Sequence, residues 1–210
     1  MRVIFGGTFD PVHVGHLRMA TELRDQLGVD VVHLMPCFDA VHKNQAASSI
    51  DRLNMLNLAI CDDAGLLLDD REIKRNAPSY TIDSLRELRE QVKDESLVIV
   101  MGSDSLRGLK SWKEAESFSK LTNLIFINRP GVALDNSFES SVLSQLGFSR
   151  AGTLDEMKNS LNGLWIQLNL TALDVSSTEI REAVYEGNSI RYLVKDAVRQ
   201  YICDNALYRN

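Results

Sequence analysis

The first seventeen residues, MRVIFGGTFDPVHVGHL (1–17), decide how the rest of the chain is interpreted. An apolar run at residues 2–5 predicts a buried strand, and it leads directly into Gly6 and Gly7. Two histidines separated by a glycine follow, and an apolar helical pattern begins after them. This order of strand, glycine turn and helix is typical of the ligand-binding edge of a parallel α/β sheet.

The glycines and histidines of this stretch suit an anion. A glycine lets the backbone approach a ligand because no Cβ is in the way. The helix that opens at Gly15 offers free N–H groups and a dipole that favour negative charge. His13 and His16 are three residues apart, so both imidazoles can project to the same side.

Other chemistries for this stretch stay open. The chain has no G-x-x-x-x-G-K-[ST] loop and no G-x-G-x-x-G, so neither common nucleotide-binding loop is present. The spacing of His13 and His16 is compatible with zinc, but the remaining histidines are His33 and His42, and further ligands are not evident. A glycine-rich turn with incidental histidines is the remaining interpretation.

Apolar runs and helical periodicities alternate along the chain. Continuous apolar runs predict strands at residues 2–5, 31–35, 66–68, 97–101, 124–127 and 164–168. Apolar residues at helical spacing predict helices at 17–27, 50–60, from about 81, within 132–163, at 177–186 and at 191–203. Such strands favour a parallel sheet, and right-handed crossovers make it doubly wound. We therefore predict an α/β, Rossmann-like fold with a mostly parallel sheet, helices on both faces and a C-terminal helical segment, in one domain spanning 1–210.

Composition narrows the class of ligand. The 210 residues carry a formal net charge of −6, whereas a chain that binds nucleic acid by its phosphates usually has a basic excess. We therefore expect no nucleic-acid partner and a small phosphorylated ligand held by a local cluster of donors. No apolar run approaches the length of a membrane span, and the N-terminal residues do not resemble a signal peptide. The three cysteines are far apart in the sequence. These features favour a cytoplasmic protein without a membrane partner. They do not decide between a monomer and a homo-oligomer.

The motif GGTFDPVHVGH (6–16) resembles the first motif of the nucleotidylyltransferase superfamily, whose H-x-G-H signature marks nucleotidyl transfer. The chain as a whole is similar to the bacterial nicotinate mononucleotide adenylyltransferases. The blocks that carry this resemblance are REIKRNAPSYTIDSL (71–85), MGSDSL (101–106), Trp112, NRPG (128–131), VSSTEIR (175–181) and YICDNALY (201–208). The resemblance implies transfer of AMP from ATP to nicotinate mononucleotide in NAD biosynthesis, with release of pyrophosphate. It also implies Mg²⁺ with ATP, held by phosphates and water and not by metal-binding residues of the protein.

The resemblance assigns roles to residues in several blocks. The phosphates of ATP would contact two of these blocks. The residues from the first motif are Gly6, Gly7, Thr8, Phe9, His13 and His16, and those from VSSTEIR (175–181), the serine-rich block, are Ser176, Ser177, Thr178 and Arg181. His13, His16 and Arg181 would act in catalysis together with Lys43. In the family, two prolines usually precede the cationic residue of that loop, whereas here Ala40 and Val41 stand there. For the serine-rich block, the purely structural interpretation is a helix cap. A capped helix start also binds anions, so the two interpretations are compatible.

Two further groups of residues complete the implied site. Gly102, Asp104 and Arg129 would contact ATP; the alternative for Asp104 is a helix cap, and the alternative for Arg129 is a turn at a strand end. Trp112 would stack on the pyridine ring, and Thr81 with the backbone near Tyr80 would bind its carboxylate. The simplest alternative for a tryptophan is a place in the core.

Two other functions compete with this interpretation. The first is a nucleotidyl transferase of the same fold that uses phosphopantetheine or a sugar-alcohol phosphate. The second is a nucleotide-binding sensor without catalytic activity.

Overall fold

The structure, a computed structural model, describes residues 1–38, 46–127, 136–171 and 173–209. Its strands are β1 (Arg2–Gly7), β2 (Val32–Pro36), β3 (Leu66–Leu68), β4 (Leu97–Gly102), β5 (Asn123–Ile127), β6 (Ser149–Arg150) and β7 (Leu164–Leu168). They form one sheet in the order β3-β2-β1-β4-β5-β7-β6. The pairs β2–β3, β1–β4, β4–β5, β5–β7 and β6–β7 are all parallel. The prediction of a Rossmann-like parallel α/β fold is therefore confirmed.

Helices connect these strands and end the chain. They are α1 (Val14–Leu27), α2 (Ser49–Ile60), α3 (Arg71–Arg75), α4 (Thr81–Gln91), α5 (Asn136–Gln145), α6 (Leu154–Asn159), α7 (Ser177–Tyr185) and α8 (Asp196–Asp204). Two 3₁₀ segments, Ser103–Ser111 and Ala115–Lys120, lie between β4 and β5. The predicted end of α1 is confirmed: Gly28 has φ 57° and ψ 40°, a left-handed conformation that glycine adopts without a steric cost.

Some elements differ from the prediction. The two-residue β6, the five-residue α3 and the 3₁₀ segments were not predicted. Elements as short as α3 and β6 carry no readable periodicity, and a 3₁₀ helix has three residues per turn, so it lacks the 3.6-residue pattern of an α-helix. The last helix begins at Asp196 and not near residue 191. Tyr192 interrupts the pattern with φ 70°, which is incompatible with a right-handed helix.

The chain divides into two compact units. Unit 1 comprises Met1–Gly6 and Ser79–Leu170, and unit 2 comprises Gly7–Pro78 and Thr171–Asn210. No observation tests the prediction of a single domain, which stays a prediction.

Unit 1 is built on the central strands of the sheet. Residues 97–101 of β4 and all of β5 are buried, which fits parallel strands covered on both faces. Helix α4 buries Ile82, Leu85 and Leu88, the face that its periodicity predicts.

Unit 2 holds α1, β2, α2, β3, α3, α7 and α8. Helix α1 completely buries Ala20, Leu23 and Leu27. Helices α2 and α8 meet at a tyrosine: the Tyr201 hydroxyl donates to Asp51 Oδ1 at 2.9 Å and accepts from Asn54 Nδ2 at 2.9 Å. Distant segments of the sequence thus form one packed unit around the first motif.

Candidate active site

The two glycines after the first strand have different neighbours. A Cβ on Gly7 would lie 2.8 Å from Cζ of the Phe9 ring, whereas a Cβ on Gly6 would meet nothing within 4 Å. Phe9 is itself buried and has φ 50°. Gly7 is therefore required for the packing of Phe9, and only Gly6 leaves open space of the kind that a ligand needs.

The ring of His16 is held on three sides. The Phe9 ring meets it edge-on with centroids 5.0 Å apart, and the His13 ring stacks on it at 3.7 Å with an interplanar angle of 28°. The backbone N–H of His13 donates to His16 Nδ1 at 3.3 Å. A neutral imidazole that accepts at Nδ1 carries its proton at Nε2, so His16 presents an N–H donor there. His13 is buried, while His16 is half-buried.

The N-terminus of α1 is mostly satisfied by the protein. The Val14 N–H donates to the carbonyl of Leu193 at 2.9 Å, and the His16 N–H turns back to the carbonyl of His13 at 3.0 Å. Among the described residues, no group accepts from the Gly15 N–H. A Cβ on Gly15 would lie 3.0 Å from both His13 Nδ1 and Val175 Cγ1, which explains the glycine. The Gly15 N–H and the helix dipole are therefore what this terminus offers to an anion.

The serine-rich block starts α7 and uses its hydroxyls within the protein. Ser176 forms a capping box: its Oγ accepts from the Glu179 N–H at 3.2 Å, and Glu179 Oε2 accepts from the Ser176 N–H at 2.9 Å. Ser177 Oγ donates to the carbonyl of Pro11 at 2.9 Å. Thr178 Oγ1 accepts from Arg181 Nη2 at 3.3 Å. The backbone N–H groups of Ser177 and Thr178 have no acceptor within the described part of the chain, and the Thr178 hydroxyl only accepts there. These two N–H groups and the Thr178 O–H are therefore the donors left for a ligand.

Asp10 joins four segments of unit 2, and the sequence analysis gave it no role. Its carboxylate is 3% exposed and accepts from the Ala46 N–H at 2.7 Å, the Ala47 N–H at 3.2 Å and the Tyr208 hydroxyl at 2.7 Å. Its carbonyl accepts from Arg181 Nη1 at 2.7 Å. Arg181 and Tyr208 also line an open cavity of about 700 Å³. The aspartate lies within the quoted first motif, and its type in a buried turn is the only signal that could have identified it.

Arg52 is a second residue that the sequence analysis missed. Its side chain is fully buried, and Nη1 donates to the carbonyls of Thr8 at 2.9 Å and Cys37 at 2.7 Å. Nη2 donates to the carbonyl of Phe38 at 2.7 Å. Arg52 thus joins the turn after β1 to the end of β2. Burial raises the pKa of the neighbouring Cys37 thiol and outweighs the opposite effect of the Arg52 charge, so the thiol stays neutral.

Unit 1 carries the residues implied for the pyridine ring. Trp112 is half-buried and meets the Phe118 ring edge-on, with centroids 6.3 Å apart. Tyr80 precedes the first residue of α4, Thr81, and Lys113 Nζ lies 4.6 Å from the centre of its ring. Trp112 is therefore neither a fully buried core residue nor an isolated surface ring.

Gly102 is the last residue of β4, and Ser103 follows it. A Cβ on Gly102 would meet nothing within 4 Å, as for Gly6. Ser103 Oγ is buried and has no hydrogen-bond partner within the described residues. The backbone at Gly102 therefore leaves room for a ligand, whereas the Ser103 hydroxyl is buried beside it.

Three predicted residues lie wholly or partly outside the described structure. Lys43 and Arg129 fall in segments that the structure does not describe. The backbone of Asp104 is described, but its side chain is not. Their implied roles stay predictions. Among the described residues, no three His, Cys, Asp or Glu side chains are grouped as a metal site requires, and no helix there is long and apolar enough to span a membrane.

Comparison with known proteins places the chain in a family. Residues 4–183 match the model of the cytidylyltransferase-like family. A "Probable nicotinate-nucleotide adenylyltransferase" of Cellvibrio japonicus is 40% identical over 208 residues, which cover 98% of this chain and 97% of that protein. A protein of the same name from Marinomonas sp. is 40% identical over 213 residues, covering 98% and 93% of the two chains. The chain belongs to the nicotinate-nucleotide adenylyltransferase family.

This adenylyltransferase-family protein is thus an enzyme of the nucleotidyltransferase class. Among solved structures, it resembles Plasmodium falciparum nicotinic acid mononucleotide adenylyltransferase complexed with NaAD, with a TM-score of 0.75 and 21% identity. That match covers 98% of this chain and 96% of the other. The same Plasmodium enzyme complexed with APC gives a TM-score of 0.72 at 20% identity. At these identities the structural likeness supports the fold of the family member described here.

Proposed function

We propose that the protein transfers AMP from MgATP to nicotinate mononucleotide, giving nicotinate adenine dinucleotide and pyrophosphate. The family named above supports this reaction, as do the observations on the first motif. The observation that carries the proposal furthest is the stacked His13–His16 pair, which directs an N–H donor from His16 beside the N-terminus of α1.

The reaction suits a site that has no strong general base. The attacking phosphate oxygen of the mononucleotide is anionic near neutral pH, so catalysis requires alignment and neutralisation of charge on the α-phosphate and the departing pyrophosphate. In our proposal, His16 Nε2 and the Gly15 N–H donate to the triphosphate. His13 stacks on His16 and fixes its orientation. Gly6, Gly7, Thr8 and Phe9 form the turn along which the phosphates lie.

The start of α7 supplies a second set of donors in this proposal. Because Ser176 and Ser177 donate their hydroxyl protons within the protein, we assign phosphate binding to the N–H groups of Ser177 and Thr178, to the Thr178 hydroxyl and to the dipole of the helix. Arg181 adds positive charge from the same helix. Lys43, Arg129, Gly102 and Asp104 keep the roles that the resemblance implies, with ATP as their ligand.

Mg²⁺ enters as part of the substrate MgATP. The described residues contain no group of three metal-binding side chains, so phosphate oxygens and water would supply most of its ligands. We further propose that the enzyme acts in the cytoplasm in NAD biosynthesis and has no nucleic-acid partner, because its net charge of −6 opposes binding to phosphate backbones.

The acceptor's ring would lie on Trp112, with its carboxylate at the start of α4. The N–H groups of Thr81 and Ile82 have no acceptor within the described residues, and the helix dipole favours an anion there. A carboxylate therefore gains more from this position than a carboxamide does. Tyr80, next to Lys113, would complete this side of the site.

A substrate panel tests the proposed function. Purified enzyme and MgATP are incubated separately with nicotinate mononucleotide, nicotinamide mononucleotide and phosphopantetheine, and pyrophosphate release is measured. We expect the fastest release with the nicotinate form, slower release with the amide and none with phosphopantetheine. Reactions without an acceptor measure background hydrolysis of ATP, and reactions with EDTA should be inactive. Pyrophosphate release with phosphopantetheine alone, or with no acceptor, would contradict the proposal.

A further inference from the structure

The C-terminal tail, residues 205–209, is packed into unit 2 in a strained conformation. Ala206 has φ 50° and Tyr208 has φ 63°, values that non-glycine residues rarely adopt. Two backbone hydrogen bonds fold the tail onto α8: Ala206 N–H donates to Cys203 O at 3.2 Å, and Leu207 N–H donates to Ile202 O at 3.0 Å. Strain of this kind persists where surrounding contacts stabilise it, and such positions are often found beside functional sites.

The tail ends on the buried carboxylate of Asp10. Tyr208 donates its hydroxyl proton to Asp10 Oδ1 at 2.7 Å. Burial of the phenol, and then its hydrogen bond to Asp10, raises the pKa of Tyr208, so the hydroxyl remains a donor throughout the working pH range. The two other donors to this carboxylate are backbone N–H groups, those of Ala46 and Ala47. Tyr208 is thus the only side chain among the described residues that donates to the Asp10 carboxylate.

Asp10 connects this tyrosine to Arg181. The carbonyl of Asp10 accepts from Arg181 Nη1 at 2.7 Å, and the next residue, Pro11, accepts from Ser177 Oγ at 2.9 Å. The carboxylate and carbonyl of Asp10 belong to one residue, so the hydrogen bonds of the carboxylate help to fix the peptide that Arg181 and α7 hold. Arg181 and Tyr208 also line the same open cavity, so both groups lie on one side of Asp10.

We propose that Tyr208 is a positioning residue of the nucleotide site, which acts through Asp10 to set the position of Arg181 and the start of α7. This inference rests on the proposed function, because it assigns Arg181 and α7 to the phosphates of ATP. Removing the hydroxyl leaves a buried carboxylate short of one donor. We expect Asp10 to shift toward other donors and to carry its carbonyl with it. The tail thereby becomes part of the enzyme's ATP-binding structure.

The test compares Tyr208→Phe with Tyr201→Phe. The control also removes a tyrosine hydroxyl that donates to an aspartate in unit 2, but its partner is Asp51 on α2. We expect Tyr208→Phe to raise KM for ATP by about tenfold, the size of effect given by one unmet hydrogen bond to a buried charge. The KM for nicotinate mononucleotide should change less than twofold, since one lost phenol donor in unit 2 leaves the residues of unit 1 intact. Tyr201→Phe should lower the melting temperature without changing either KM.

A double-mutant cycle tests whether the effect passes through Arg181. In an Arg181→Lys background, the additional effect of Tyr208→Phe on KM for ATP should shrink to less than about threefold, because coupled residues are not additive. Wild-type enzyme is assayed in the same series. If wild type turns over and Tyr208→Phe behaves like Tyr201→Phe, or its effect persists in full without Arg181, the inference about Tyr208 is wrong. If wild type shows no pyrophosphate release, the proposed function itself fails.

Discussion

Replacing His16 with alanine should lower kcat by about 10²–10³-fold, the range for loss of one preorganised donor to developing charge. The reason is the fixed Nε2–H of His16, which the stacked His13 ring, the edge of Phe9 and the His13 N–H hold in one orientation. The loss of free energy of unfolding should be only about 1 kcal/mol, the value of an aromatic contact on a half-buried ring. Steady-state kinetics and chemical denaturation measure the two quantities on the same preparation.

Two variants control for this result. Arg18→Ala changes the same helix two residues later, and its side chain is 51% exposed and pairs with Glu22, so kcat should be unchanged. His16→Gln retains an N–H donor and should recover part of the lost rate. A His16→Ala enzyme with wild-type kcat would remove His16 from the catalytic residues.

Replacing Arg52 with methionine should lower the free energy of unfolding by about 3–5 kcal/mol, as expected when a buried guanidinium is removed from its partners. The carbonyls of three half-buried residues, Thr8, Cys37 and Phe38, lose the hydrogen bonds from this guanidinium in the variant. Because Thr8 follows the glycines of the first motif, the ATP affinity of the folded fraction should also fall. Thermal denaturation measures the first effect, and nucleotide titration well below the melting temperature measures the second.

Arg89 offers a matched control in unit 1. Its guanidinium also donates to backbone carbonyls, including those of Leu121 and Leu161 at 2.7 Å, and burial lowers its pKa. Arg89→Met should destabilise the protein without a specific loss of ATP affinity. A melting temperature of Arg52→Met equal to that of wild type would show that the buried guanidinium does not hold the end of β1 to β2.

The strands and the first motif were predictable because they carry strong local signals. Continuous apolar runs predicted six of the seven strands to within two residues, and Gly28 predicted the end of α1. The pairing of His13 with His16 followed from their spacing and agrees with the stacked rings. These features depend on residues that are close in sequence, where spacing determines geometry.

The contacts that hold the site together depend on residues that are distant in sequence. Arg52 is 44 residues from Thr8, and Tyr208 is 198 residues from Asp10. Nothing local distinguishes Arg52 from a surface arginine on an amphipathic helix, because only the packed fold removes it from water. Gly7 is a local feature whose reason was not predicted. The sequence suggested that a glycine is needed there for the close approach of a phosphate, whereas in the structure the packed Phe9 ring leaves no space for a Cβ.

The hydroxyls of the serine-rich block show why the type of a residue does not by itself determine its role. Serine and threonine at a helix start cap the helix or bind a ligand, and both roles use the same oxygen. In the structure Ser176 and Ser177 use their hydroxyls on Glu179 and Pro11. The backbone N–H groups of the first turn and the Thr178 hydroxyl thereby become the donors assigned to phosphate.

The central claim, that the triphosphate of ATP lies at the start of α1, is tested most directly by a crystal structure with α,β-methylene-ATP and Mg²⁺. This analogue keeps the charges of ATP but cannot break the bond that nucleotidyl transfer cleaves. We expect a phosphate oxygen within about 3 Å of His16 Nε2, the ordinary length of such a hydrogen bond, and another on the Gly15 N–H. Analogue bound with its phosphates remote from both groups would contradict the assignment of the first motif.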